Sequence, residues 1–213
     1  MAIDSIVFDL DGTLWDTCPA CAVAWNTVLQ RHEIPYREIV ADDVRRVTGQ
    51  PHDDCIRVTF PDLPAGDIEK LISGTAEEDN AAISRLGGTL YPGVIEGLRG
   101  LADRYRLFIV SNCQSGYIEN FLAYAAVGDL ITDFECFGNT GEPKSENLRR
   151  VIERNGLRSP VMVGDTTGDE AAARACGVPF AFVSYGFGSA IAPSYRFSSF
   201  GELVAFFSEF SSF

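Results

Sequence analysis

The chain has 213 residues, room for one core plus an insertion but not for two full-sized domains. Its composition, 46% hydrophobic and 22% charged, is that of an ordinary globular protein and excludes disordered and fibrous classes. With 17 basic against 30 acidic side chains, a net charge of -13, it repels nucleic-acid backbones and anionic membranes, which are held by clustered Lys and Arg.

Along the chain, four short apolar runs read as strands buried on both faces, as in a parallel sheet: Ile6 to Leu10, Leu107 to Val110, Pro160 to Val163 and Phe180 to Val183. A fifth, shorter strand is expected around Phe134 to Phe137. Between these runs lie helical spacings: Val94, Leu98 and Leu101, then Leu148, Val151 and Ile152 before Gly156. Strand and helix alternate, so the expected class is α/β, with its ligand crevice beyond the carboxyl ends of the strands.

One stretch breaks this alternation. From Asp16 to Thr89 the periodicity is helical only, through Cys21, Trp25, Val28 and Leu29, then Ile68, Leu71 and Ile72, then Ala82, Ile83 and Leu86. Pro19, Pro51, Pro61 and Pro64 divide it into several helices, and Gly87-Gly88 and Pro92-Gly93 mark the return. The expected domains are therefore a core of residues 1–15 and 90–213 and a helical insertion of residues 16–89. The last segment repeats Phe200, Leu203, Val204 and Phe207 on one face; it lacks the basic residues of a membrane-surface helix, so docking on the core is expected.

Acidic Asp4 and Asp9 interrupt the opening apolar run, with no basic region before it, which argues against a secretory signal; no apolar stretch reaches the roughly 18 residues needed to span a bilayer. The cysteines, Cys18, Cys21, Cys55, Cys113, Cys136 and Cys176, are scattered through a chain with its own core, which fits reduced thiols and a cytoplasmic location. Cys18 and Cys21 form a Cys-x-x-Cys, but no second pair or ordered His pattern accompanies it, and both are expected to line the first helix.

The strongest chemical signal is Asp9-Leu10-Asp11-Gly12-Thr13 at the end of the first strand, where strand alternation projects Asp9 and Asp11 from one face. Two such carboxylates repel unless a cation lies between them. Ser111-Asn112 closes the second run, where a hydroxyl and N–H groups can hold a phosphate oxygen. Lys144, one of only two lysines beside Lys70, opens a helix after Gly141-Glu142-Pro143 and adds a positive charge at an anion-favouring helix start. Gly164-Asp165-Thr166-Thr167-Gly168-Asp169 follows the third run and brings two more carboxylates. Each element also has an ordinary structural use, as turn, cap or solvated surface, with Asp169 a candidate N-cap. Their order, each at or just beyond a strand's carboxyl end, is what carries the reading.

These residues, with Tyr91-Pro92-Gly93-Val94 and Ala171-Ala172-Ala173-Arg174-Ala175-Cys176-Gly177, resemble the motifs of the haloacid dehalogenase superfamily over essentially the whole chain. The insertion is similar to that family's helical type 1 cap, and phosphoglycolate phosphatases are the nearest subgroup. The resemblance implies a Rossmann-like parallel sheet with an inserted cap and a Mg²⁺-dependent phosphatase of a small phosphorylated metabolite, monomeric or homodimeric. It implies Asp9 as nucleophile, Asp11 as general acid and base, and Ser111, Asn112 and Lys144 on the substrate phosphate. Mg²⁺ would be held by Asp9, Asp165 and the main-chain carbonyl of Asp11, with Asp169 orienting this shell from behind.

Arg45, Arg46, Gln50 and His52 are candidates to read the organic part of the substrate, against a solvated helix face and turn. A β-phosphoglucomutase-like mutase is the rival reading, but its relatives carry Glu-Asp in place of Gly164-Asp165 and an arginine-bearing loop in place of Gly49-Gln50-Pro51-His52. Dehalogenases lack the acid that stands here as Asp11, and phosphonate cleavage needs a cap lysine for which Lys70 is weak support. A non-catalytic binding module with the same fold is the remaining alternative.

Overall fold

The computed structural model describes residues 3–209. The central strand β1 (Ser5–Phe8) leads into the two-residue strand β2 (Trp15–Asp16), then helices α1 (Cys18–Arg31), α2 (Ala41–Arg45), α3 (His52–Thr59) and α4 (Ala65–Leu86). After β3 (Thr89–Leu90) come α5 (Val94–Ala102), β4 (Arg106–Ser111), α6 (Tyr117–Ala125), β5 (Ile131–Cys136), α7 (Phe137–Thr140) and α8 (Lys144–Asn155). The chain continues through β6 (Pro160–Gly164), α9 (Thr167–Ala175), β7 (Phe180–Val183), β8 (Tyr195–Phe197) and α10 (Phe200–Glu209).

Six strands form a parallel sheet in the order β5-β4-β1-β6-β7-β8. Alternation distributes each strand to both faces: Ile6 and Phe8 pack with Leu107, Ile109, Val161 and Val163 on one side, and Val7 with Phe108, Val110 and Met162 on the other. Helices α5 and α10 cover the first face with Leu98, Leu101, Phe200 and Phe207, and α8 and α9 the second with Leu148, Val151 and Ala173. Burial of both faces is why these strands are apolar without interruption. The expected Rossmann-like parallel sheet is present, and α10 docks on the core, where the side chains of Phe200 and Val204 crowd Gly97 of α5.

The two edges of the sheet differ from the expected pattern. The fifth strand begins earlier than expected, because Asp133 and Glu135 lie within β5 and are held by Arg154. Strand β8 follows no apolar run, since Tyr195 and Arg196 sit on the sheet edge and only Phe197 is buried.

Helices α1 to α4 bury Trp25, Val28, Ile56, Phe60, Leu71 and Ile83 in an apolar cluster that runs on into the sheet face of Ile6 and Phe8. Each full leucine-sized burial of this kind contributes about 1.5–3 kcal/mol. At their base, β2 pairs antiparallel with β3 through Trp15↔Leu90 and Asp16↔Thr89. Among the described residues no helix is long and apolar enough to cross a membrane.

Candidate active site

The site stands at the carboxyl edge of the sheet, where β1, β4 and β6 end side by side. Asp9 follows β1 directly, and its N–H donates to the Val163 carbonyl at 2.8 Å, which carries the ladder with β6 one residue further and fixes the carboxylate. Asp165 follows β6 and is fully buried; one of its oxygens accepts the N–H groups of Phe187 at 2.7 Å and Gly188 at 3.3 Å. Gly12 has φ +82°, and a Cβ there would collide with the Asp165 carboxylate, so glycine is required for this close approach.

Asp169 is not the N-cap of α9. Thr166 is, with Asp169 closing a capping box: its N–H donates to Thr166 Oγ1 at 3.2 Å and its Oδ2 accepts the Thr166 N–H at 3.0 Å. That leaves Asp169 Oδ1 facing inward, where Lys144 Nζ donates to it at 2.6 Å and to Asp9 Oδ1 at 2.6 Å. Lys144 is the first residue of α8 and is buried. Burial works against its charge, but the carboxylates of Asp169 and Asp9 overcome that and hold its pKa above the usual lysine range.

Oxygens of Asp9, Asp165 and Asp169 lie within 4.8 Å of one another. Burial, reinforced by mutual repulsion, pushes Asp165 up to about 7 and raises Asp9 well above the usual carboxylate range, against the pull of Lys144. The set is all hard oxygen, buried and electrostatically strained, which is the donor chemistry a Mg²⁺ ion satisfies.

Asp11 is held apart from this cluster. Its Oδ1 accepts hydrogen bonds from Thr17 Oγ1 and Tyr117 Oη, each at 2.9 Å. Burial raises its pKa to about 6, against the lowering effect of those two hydroxyls. Asp9 and Asp11, two residues apart, thus have different electrostatic surroundings.

Ser111 ends β4 and its Oγ accepts the Cys113 N–H at 3.3 Å, while Asn112 Nδ2 donates to the Gly49 carbonyl of the helical insertion at 2.8 Å. Asp9, Asp11, Ser111 and Asn112 line one cavity of about 60 Å³, which Gln50 and His52 also border. Arg45 and Arg46 do not border it. They are paired with Asp16, Asp42 and Asp43 and line a separate cleft beside Thr166 and Phe187.

Cys18 and Cys21 lie in α1, and burial raises both thiols above their ordinary range, which keeps them protonated; all six cysteines are free. Thr17, Tyr117, Trp25, Asp79 and Gln114 also border the cavity, and none of them is among the site residues expected from the sequence. For Asp79 a signal existed: it falls in the helical series Leu71, Thr75, Asp79, Ala82, Ile83, the buried stripe of α4.

The sequence profile of the haloacid dehalogenase-like hydrolases matches residues 6–183. The chain belongs to this family. Among curated relatives, this haloacid dehalogenase-like hydrolase is 28% identical to a phosphoglycolate phosphatase of Rhodospirillum rubrum over 95% of this chain and 91% of that one. It is 30% identical to a phosphoglycolate phosphatase of Rhodobacter capsulatus, over 86% and 85% of the two chains. A haloacid dehalogenase-like family protein from Streptococcus pneumoniae shares the fold with TM-score 0.84 at 21% identity, covering 96% of this chain and 98% of that one. A predicted phosphoglycolate phosphatase from Haemophilus somnus does so with TM-score 0.82 at 21% identity, covering 96% and 97%. The hydrolase expected from the motifs is thereby met.

Proposed function

We propose that this hydrolase is a Mg²⁺-dependent phosphatase of a small phosphorylated metabolite, acting through a phosphoryl group carried on Asp9. The observation that carries the reading is the contrast between Asp9, clamped by Lys144 at 2.6 Å among other buried acids, and Asp11, set aside with a pKa near 6.

Asp9, Asp165 and the main-chain carbonyl of Asp11 would hold Mg²⁺, with Asp169 behind them, and the ion would neutralise phosphate charge at the nucleophile. The Asp9 oxygen not held by Lys144 attacks phosphorus as the bond to the alcohol oxygen breaks. Asp11 gives its proton to that oxygen and then takes one from the water that releases phosphate from Asp9. Its pKa near 6 suits both duties close to neutral pH. Ser111, Asn112 and Lys144 spread the negative charge of the transferring group. Residues 16–89 act as a cap that closes over this chemistry and excludes water.

The curated relatives' name makes phosphoglycolate the first natural ester to assay, and the free thiols fit a cytoplasmic setting. The test is release of p-nitrophenol from p-nitrophenyl phosphate with Mg²⁺ and with chelator. Metal-dependent turnover is expected; its absence would leave the fold as a binding module. Glucose 1-phosphate should yield free phosphate, and glucose 6-phosphate as product would overturn hydrolysis in favour of a mutase.

A further inference from the structure

The cavity is also lined by an acid that the chemistry above does not use. Asp79, on α4, is 3% exposed and lines the cavity. Its Oδ2 accepts the Trp25 Nε1–H and the Gln114 Nε2–H, each at 3.4 Å, while its Oδ1 has no hydrogen-bond partner. A buried polar atom without a partner is costly, so a group entering the cavity that bonds to it recovers the loss.

The surroundings restrict what that group is. No Lys or Arg lines the cavity among the described residues. His52 lies 3.7 Å from Asp79 and bonds Thr75 Oγ1 at 2.9 Å, and burial lowers its pKa, keeping the ring neutral. Trp25, Val44 and Val47 supply apolar wall. A carboxylate on the leaving group would enter this pocket without a cation, and an ammonium would need an ionised Asp79 in apolar surroundings; both carry the desolvation cost of a buried charge. A neutral hydroxyl carries neither.

We propose that Asp79, backed by Gln114 and His52, is the specificity-determining residue of the site, and that the substrate is the phosphate ester of a small uncharged alcohol bearing a free hydroxyl. This rests on the phosphatase reading above and refines it. Burial pushes the Asp79 carboxyl up to about 8, so at neutral pH it presents an O–H and a carbonyl oxygen to the ligand hydroxyl. Because Asp79 belongs to the helical insertion and Gln114 follows β4 of the sheet, recognition requires both parts together.

The experiment compares kcat/KM of the wild-type protein for glycerol phosphate, phosphoglycolate and phosphoethanolamine, three esters of similar size, with p-nitrophenyl phosphate as the reference for turnover. Glycerol phosphate is expected to exceed both charged esters by about tenfold or more, the scale of one unpaired buried polar group. If either charged ester equals or exceeds it, or if only p-nitrophenyl phosphate is hydrolysed, this inference fails while the phosphatase reading stands. If p-nitrophenyl phosphate is not hydrolysed either, the phosphatase reading itself fails. For Asp79→Leu, which keeps the volume but removes both the donor and the acceptor and whose fold is checked by thermal melting, KM for glycerol phosphate should rise about tenfold with a smaller change in kcat. An unaltered KM and an unaltered preference among the three esters would remove Asp79 from recognition.

Discussion

Replacing Lys144 by methionine keeps the length of the buried stem and removes its charge. In the native arrangement Lys144 is 5% exposed and its Nζ lies 2.6 Å from both Asp9 Oδ1 and Asp169 Oδ1. Its loss leaves Asp9, Asp165 and Asp169 buried with no counter-charge, and breaking a buried pair in this way costs about 3–5 kcal/mol. For a chain of this size each kcal/mol shifts the melting temperature by about 2–4 °C, so a fall of roughly 6–20 °C is expected in chelator. The pH dependence has a definite sign. Burial raises Asp9, and raises Asp165 to about 7, so in the metal-free protein their favourable contribution is complete below about pH 4 and is lost as pH rises through the folded values. Without Lys144 those values rise further, and the gap between variant and wild type widens from acid to neutral pH. Mg²⁺ at one fixed concentration should narrow it, since the acids left without the Lys144 charge attract the cation more strongly and binding stabilises the variant by more than the wild type. Circular-dichroism melts at pH 4 to 8, with chelator and with Mg²⁺, check each step. A variant melting within about 2 °C of wild type at neutral pH in chelator would refute the electrostatic account of the cluster.

Asp9→Asn should abolish turnover while leaving the melting curve cooperative; retention of more than a few per cent activity would contradict the nucleophile assignment. Asp11→Asn should slow hydrolysis of alkyl phosphates by about 10²–10⁴ and that of p-nitrophenyl phosphate far less, because p-nitrophenolate leaves without a proton. Equal losses on both substrates would deny Asp11 the acid role. Tyr117→Phe removes a donor that stabilises ionised Asp11, so the alkaline limb of kcat/KM, set by loss of the acid's proton, should move to higher pH; a limb that stays or moves down contradicts this. Gly12→Ala places a methyl group against Asp165 at a positive φ, and should weaken Mg²⁺ activation, read as a raised metal concentration for half-maximal rate.

Sequence patterning located four strands of the sheet because burial on both faces leaves an uninterrupted apolar run, as in Leu107 to Val110. It misplaced β5 and passed over β8, where edge positions admit Asp133, Glu135 and Arg196 and the run is broken. The residues around the acids were legible because each falls at or just beyond a strand end, fixed by local geometry: Asp9, Ser111, Asp165 and, at a helix start, Lys144. Thr17, Tyr117 and Asp79 were not, because their roles arise where distant segments meet, and nothing within a few residues of Tyr117 announces that its hydroxyl reaches Asp11. Asp79 is the instructive case, since Glu77 and Glu78 beside it look alike in sequence and only the helical phase shared with Leu71 and Thr75 turns it inward.

The ladder joining Trp15 to Leu90 and Asp16 to Thr89 means that the polypeptide departs for the helices and comes back at neighbouring points. Everything between therefore starts and returns at the site itself: Thr17, the first residue past the ladder, donates to Asp11, and the Gly49 carbonyl accepts from Asn112, so another helical bundle put in this place must restore both contacts to keep Asp11 as it is.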